Sequence, residues 1–262
     1  MLPRGKRGTS GRKSKEVVYA AVRHNRRRIF VSDGTKAQQY TGTRRVIVHL
    51  HPDELRHRMV EAQLRQRGIQ DERVLAAMAR VPRDEFVGEP YRTQAYDDNP
   101  LPIGEGQTIS QPYIVALMLQ LLALAPEHRV LEVGTGSGYQ AVLLAELARQ
   151  VYTIERHAAL AHCAQETLRR LGYTNVTVEI GDGSAGLSSY APFDRIIVAA
   201  AAPEIPRALF DQLQEGGRLI VPVGPPDAQR LQLVMKDQGS PVLAEQIGCR
   251  FVPLVGEQGY RE

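Results

Sequence analysis

Cysteine is scarce in this chain. Among 262 residues there are two, Cys163 and Cys249, far apart and in no metal-ligand spacing, so no metal site is expected. A reducing cytoplasm is the expected setting. Cys163 shares a helical face with Leu160, Thr167 and Leu171, which reads as core and not as a nucleophile. Long apolar runs are also missing. The longest candidate, Ile114 to Ala125, is broken by Gln120 and is too short to cross a bilayer, so no membrane partner is expected. The first thirty residues hold no compact apolar segment, so no signal-peptide pattern is read there.

Acidic side chains are nearly absent from the first fifty residues. That stretch holds 13 Lys and Arg against Glu16 and Asp33, which leaves 20 basic and 27 acidic residues for the rest. The pI of about 9.1 therefore belongs to the leader and not to the body. Residues 1–15 are expected to be disordered, with brief structure at Val17 to Val22, Ile29 to Val31 and Arg44 to Leu50. The leader reads first as a solvated basic tail. A weak nucleic-acid contact through residues 1–50 is the competing reading, and an Arg-rich, acid-poor transit peptide is a third. The expected organisation is an extension at 1–50 and one domain at 51–262. Hydrophobic content of 43% and charged content of 24% suit a globular protein.

The chemistry-bearing stretch is residues 129–139. Val130, Leu131 and Val133 form an apolar run that reads as a buried strand. Gly134, Gly136 and Gly138 crowd a turn, and Ala141, Val142, Leu143, Leu144 and Leu147 follow at helical spacing. Strand, glycine turn and helix open a nucleotide-binding βαβ unit. The third glycine comes one residue earlier than in the dinucleotide fingerprint. Glu132 stands just before the turn, where a pyrophosphate would be repelled and a cationic ligand welcomed. Glu-x-Gly-x-Gly-x-Gly resembles the first motif of S-adenosylmethionine-dependent methyltransferases, with Glu132 facing the amino or sulfonium side of the ligand. A glycine-rich turn without a ligand is the alternative.

The spacing predicts helices over about 53–67, stopped by Gly68, with Leu55, Met59 and Ala62 on one face, and over 72–81, capped by Asp71. Residues 82–109 read as a long irregular loop, of the kind that carries function. Ser110 reads as the N-cap of the helix from Pro112. Further strands are expected at Val151–Ile154, Val176–Ile180, Phe193–Val198, Arg218–Val223, Leu231–Met235 and Arg250–Leu254, with a helix over Pro206–Leu213 closed by Gly216 and Gly217. The alternation implies an α/β fold with a doubly wound, mostly parallel seven-stranded sheet and an antiparallel edge. Glu155, at the end of the second strand, is placed to accept hydrogen bonds from ribose hydroxyls.

Several blocks are similar to protein-L-isoaspartate O-methyltransferases. They are Met-Val-Glu-Ala-Gln-Leu at 59–64, Val-Pro-Arg at 81–83, Gly-Gln-Thr-Ile-Ser-Gln-Pro at 106–112, Glu-Val-Gly-Thr-Gly-Ser-Gly-Tyr at 132–139, Gly-Asp-Gly at 181–183, Phe-Asp-Arg-Ile-Ile-Val at 193–198 and Arg-Phe-Val-Pro-Leu at 250–254. The resemblance spans about residues 55–256, and the basic leader departs from it. It implies methyl transfer from S-adenosyl-L-methionine to the α-carboxylate of L-isoaspartyl residues in damaged proteins and peptides. The ester then collapses to a succinimide. It also implies that Glu132, Gly134, Gly136, Gly138, Glu155, Asp182 and Gly183 hold the methyl donor. Asp182 would accept from the adenine amino group, against an ordinary Asp-Gly turn as the alternative. Ser110 is implied as the catalytic hydroxyl, against a purely capping role, and Thr108, Ile109, Val252 and Leu254 as peptide contacts. A methyltransferase acting on RNA or a small molecule, with the leader binding nucleic acid, is the competing function. No aromatic-proline acceptor motif follows the fourth strand, where Ala199-Ala200-Ala201-Ala202-Pro203 stands.

Overall fold

The computed structural model describes residues 51–261. The expectations for residues 1–50 lie outside the described residues.

Helix α1 (Pro52–Met59) continues through a π turn at Val60–Leu64 and a 3₁₀ turn at Arg65–Arg67, where Gly68 at φ 95° stops it. The π turn rotates the later side chains, so Met59, Val60 and Leu64 are buried while Ala62, expected on the apolar face, is exposed. In α2 (Glu72–Arg80), Asp71 accepts from the N–H groups of Arg73 and Val74, a cap of about 1 kcal/mol.

The long segment 82–109 is more ordered than its prolines and glycines suggest. It holds 3₁₀ turns at Arg83–Phe86 and Glu89–Gln94, then a hairpin of β1 (Leu101–Gly104) and β2 (Gln107–Ile109). Helix α3 (Pro112–Leu122) has Gln111, not Ser110, at its N-cap, and no side chain caps it. With Pro112 opening the helix, Ser110 lies one residue too early to cap.

Strands β3 (Arg129–Val133), β4 (Gln150–Glu155), β5 (Val176–Ile180), β6 (Phe193–Val198), β7 (Leu213–Val223), β8 (Arg230–Asp237) and β9 (Ser240–Gly248) form one sheet in the order β5-β4-β3-β6-β7-β8-β9. The first five are parallel, and β7–β8 and β8–β9 pair antiparallel. Helices α4 (Tyr139–Leu147), α5 (Ala158–Leu171) and α6 (Arg207–Asp211) complete the α/β alternation. Alternate strand residues feed two cores: Val130, Ile197 and Ile220 pack into one, and Leu131, Val133, Ile196, Val198 and Leu219 into the other. Full burial of each such side chain contributes about 1.5–3 kcal/mol.

Three local expectations change. The seventh strand is Ser240–Gly248, not Arg250–Leu254. Pro241 lies near the start of this edge strand, a position that tolerates proline. The 250–254 segment instead crosses to Ala201, whose N–H donates to the Val252 carbonyl and whose carbonyl accepts from Leu254 N–H, both at 2.7 Å. Helix α6 ends at Asp211, and Gly216 and Gly217 lie inside β7, where the β6–β7 register shifts between Phe193 and Arg195. Cys163 is exposed, because the buried stripe of α5 runs through Leu160, Ala161, Ala164 and Leu168.

Candidate active site

Strand order reverses between β3 and β6, and the crevice outside the carboxyl ends at such a switch point is where doubly wound sheets bind ligands. The turn after β3 forms its floor. Gly134, Gly136 and Gly138 have φ of 94°, 53° and 86°, a region L side chains rarely adopt. Gly183 is required for a different reason: a Cβ there would sit 2.5 Å from Val133 Cγ1.

The cleft is partly open to solvent, and its wall comes from β2, the turn after β3, the end of β4 and residues 252–255. Of the residues singled out from the sequence, it is lined by Thr108, Ile109, Ser110, Gly134, Gly136, Glu155, Gly183, Val252 and Leu254. Glu155 is fixed by the backbone. Its Oε2 accepts from Gly136 N–H at 2.9 Å and its Oε1 from His157 N–H at 3.0 Å. The carboxylate at the end of β4 is thereby tied to the glycine turn at the end of β3.

Glu132, Gly138 and Asp182 are not on this wall. Glu132 is fully buried beneath the turn, opposite Thr153 in the β3–β4 register. Thr153 Oγ1 donates to Glu132 Oε2 at 2.5 Å and shares a 2.6 Å hydrogen bond with Thr135 Oγ1, and Thr135 lines the cleft. Burial pushes the Glu132 carboxyl up to about 8, with the Thr153 hydroxyl pulling the other way. Asp182 borders a neighbouring recess with Arg156 and Gly256. Its Oδ1 accepts from Ser184 N–H and Oγ, and its Oδ2 from Glu257 N–H at 2.7 Å. Partial burial raises the Asp182 pKa, but these hydrogen bonds outweigh it and hold the carboxyl below its ordinary value.

Ser110 follows β2 and lines both the cleft and an adjoining groove. Its carbonyl accepts from Arg83 Nη2 at 2.8 Å. Arg83 is fully buried, donates through Nε to Ala95 O at 2.8 Å and lies 4.9 Å from the centroid of the Tyr139 ring. It anchors the Ser110 backbone while the Ser110 hydroxyl makes no hydrogen bond among the described residues.

Sequence reasoning missed Thr135, Gln140 and His157, which also line the cleft. Nothing in their spacing marks them, since Thr135 and Gln140 flank the glycine turn and His157 follows Glu155 as ordinary polar residues. Gln140 Nε2, His157 Nε2 and Glu132 Oε1 are buried with no hydrogen-bond partner among the described residues. Such groups cost about 1–3 kcal/mol each, and a ligand with a charged amino-acid end and ribose hydroxyls can supply partners to the two that line the cleft, Gln140 and His157. The donor set therefore fits S-adenosylmethionine. Among the described residues no group of His, Cys, Asp and Glu could hold a metal, and no helix is long and apolar enough to cross a membrane.

The family model described as Protein-L-isoaspartate(D-aspartate) O-methyltransferase matches residues 55–259. The protein-L-isoaspartate O-methyltransferase of Koribacter versatilis is 60% identical over 205 residues, covering 78% of this chain and 92% of that protein. Protein-L-isoaspartate O-methyltransferase 1 of Syntrophobacter fumaroxidans is 55% identical over 205 residues, covering 78% and 96%. A solved protein-L-isoaspartate O-methyltransferase superposes with a TM-score of 0.71 at 31% identity, covering 78% of this chain and 67% of that one. A putative one from Plasmodium falciparum, in complex with S-adenosyl-L-homocysteine, does so at 0.67 with 29% identity, covering 76% and 98%. The fold is that of a methyltransferase that uses S-adenosylmethionine. Within that class, the chain belongs to the protein-L-isoaspartate(D-aspartate) O-methyltransferase family.

Proposed function

We propose that this chain is a repair enzyme that transfers a methyl group from S-adenosyl-L-methionine to the α-carboxylate of L-isoaspartyl residues in damaged proteins and peptides. The observation that carries the reading is the position of Ser110, on the shared wall of the cofactor cleft and the groove beside it, with its backbone pinned by Arg83 and its hydroxyl making no hydrogen bond among the described residues. When bound, the donor supplies an electrophilic methyl group. The acceptor carboxylate, with a reference pKa of about 3.5–4, is already ionised at neutral pH and needs no general base. The protein's work is therefore to orient one carboxylate oxygen in line and to exclude water.

Glu155 takes the ribose hydroxyls, and the glycine turn admits the ligand to the backbone. Gly183, on the cleft wall, and Asp182 would hold the adenine end. Glu132, under the turn, would set the Thr153 and Thr135 hydroxyls beneath the amino-acid end. Ser110 donates its hydroxyl to the substrate carboxylate. Thr108, Ile109, Val252 and Leu254 bracket the isoaspartyl residue, and extended main chain on both sides tolerates varied peptides. The catalytic domain is residues 51–262, working in the cytoplasm, with residues 1–50 an extension that catalysis does not require.

The reading is tested by following an isoaspartyl peptide with the donor present. Methanol release and partial conversion to the aspartyl form are expected. An unchanged peptide after many donor equivalents would overturn it.

A further inference from the structure

The groove beside the cofactor cleft shares Thr108, Ser110, Ala199, Val252 and Pro253 with it. Beyond those shared residues it is lined by Tyr113, Ile114 and Leu117 of α3 and by residues 247–251. Its wall is one-sided in charge. Arg67 and Arg250 line it, and among the described residues no Asp or Glu does. That runs against the composition of the body, where acids outnumber bases 27 to 20.

The two guanidinium groups differ. Arg67 is paired with Asp98 and lies 3.7 Å over the Tyr113 ring, so its charge is met and its position fixed. Arg250 is exposed and makes no hydrogen bond or ion pair among the described residues. Its backbone is nonetheless held on both sides by one residue. Gln229, itself buried, accepts Cys249 N–H on its carbonyl at 3.1 Å and Phe251 N–H on Oε1 at 2.6 Å, and its Nε2 donates to Phe251 O at 3.1 Å. A fixed base with a free guanidinium is an arrangement for reading a ligand charge, since little backbone ordering remains to oppose binding. Val252, at the junction with the cofactor cleft, is two residues along, about 6.5 Å of extended chain.

We propose that Arg250 is a specificity-determining residue that recognises a carboxylate side chain within about two positions of the isoaspartyl residue, so that acidic neighbours are favoured and basic ones rejected. The proposal rests on the isoaspartyl reading above. Arg–carboxylate hydrogen bonds are charge-assisted and directional, and an exposed pair of this kind changes an equilibrium by about two- to fivefold.

The test uses isoaspartyl peptides that carry Glu, Gln or Lys at each of the two positions on either side of the lesion. Relative kcat/KM is measured for the full chain, Arg250→Gln and Arg250→Glu, with S-adenosyl-L-homocysteine titration confirming folded protein. At one position or more, the order Glu, Gln, Lys is expected for the native chain, compressed at high salt. Arg250→Gln should flatten it and Arg250→Glu reverse it. Equal rates at every position in the native chain, or an order unchanged by both substitutions, would overturn the proposal while leaving the activity standing. Methylation of none of the peptides would overturn the activity and the proposal together.

Discussion

The amide N–H of Gly136 donates to Glu155 Oε2 at 2.9 Å, so the glycine turn of β3 and the carboxylate of β4 form one unit. Glu155 also accepts from His157 N–H. Two backbone donors need two acceptor oxygens, and a carboxamide has one. Glu155→Gln is therefore expected to lower stability by about 1–3 kcal/mol as well as weaken donor binding, because one N–H is left facing an NH₂ group. Glu155→Ala should cost on the order of 1.5–3 kcal/mol of S-adenosylmethionine affinity by calorimetry. Native affinity in the folded variant would remove Glu155 from the site.

Glu132 makes stability depend on pH. Its folded pKa of about 8 lies above the ordinary 4.5, so between these values the folded chain binds more protons than the unfolded one. The ligand-free protein should lose stability as pH rises through that window, with a slope from this group of up to about 1.4 kcal/mol per pH unit. Glu132→Gln, compared with the native chain by denaturant unfolding from pH 5 to 8, should flatten the slope. Parallel slopes would place an ionised carboxylate there instead.

Ser110 does not cap α3, so its loss should not cost the roughly 1 kcal/mol of a lost cap. Ser110→Ala is expected to lower kcat at nearly unchanged melting temperature and donor affinity. Ser110→Thr should recover part of the rate. A melting temperature that falls in step with activity would point to a structural role.

Deleting residues 1–50 is expected to leave turnover and melting temperature of the remaining domain close to those of the full chain. Loss of nucleic-acid binding on deletion, in a salt-dependent gel-shift assay, would make the leader a tether.

The glycine turn was legible because glycines between an apolar run and a helical repeat have few other uses, Glu155 because it ends the next strand, and Gly183 because it stands in the turn after the strand beyond. Relationships set by register were not. Glu132 and Thr153 are 21 residues apart, and only the parallel β3–β4 pairing puts them face to face. Asp182 stood out in its Gly-Asp-Gly context, yet its tie to Glu257 N–H spans 75 positions. Arg-Phe-Val-Pro-Leu at 250–254 has the apolar pattern of a strand, but its backbone bonds go to Ala201 outside the strands, and the edge strand fell to the less apolar Ser240–Gly248.

The central claim is that the acceptor is an isoaspartyl α-carboxylate, and the direct measurement is transfer of labelled methyl to an isoaspartyl peptide beside its normal aspartyl twin. In the twin, the extra methylene leaves the backbone, the side-chain carboxylate is displaced and the free α-carboxylate is gone. A near-attack geometry does not tolerate that shift. The account predicts label in the isoaspartyl peptide and essentially none in the twin. Equal labelling of both, or of neither while RNA is labelled, would contradict it.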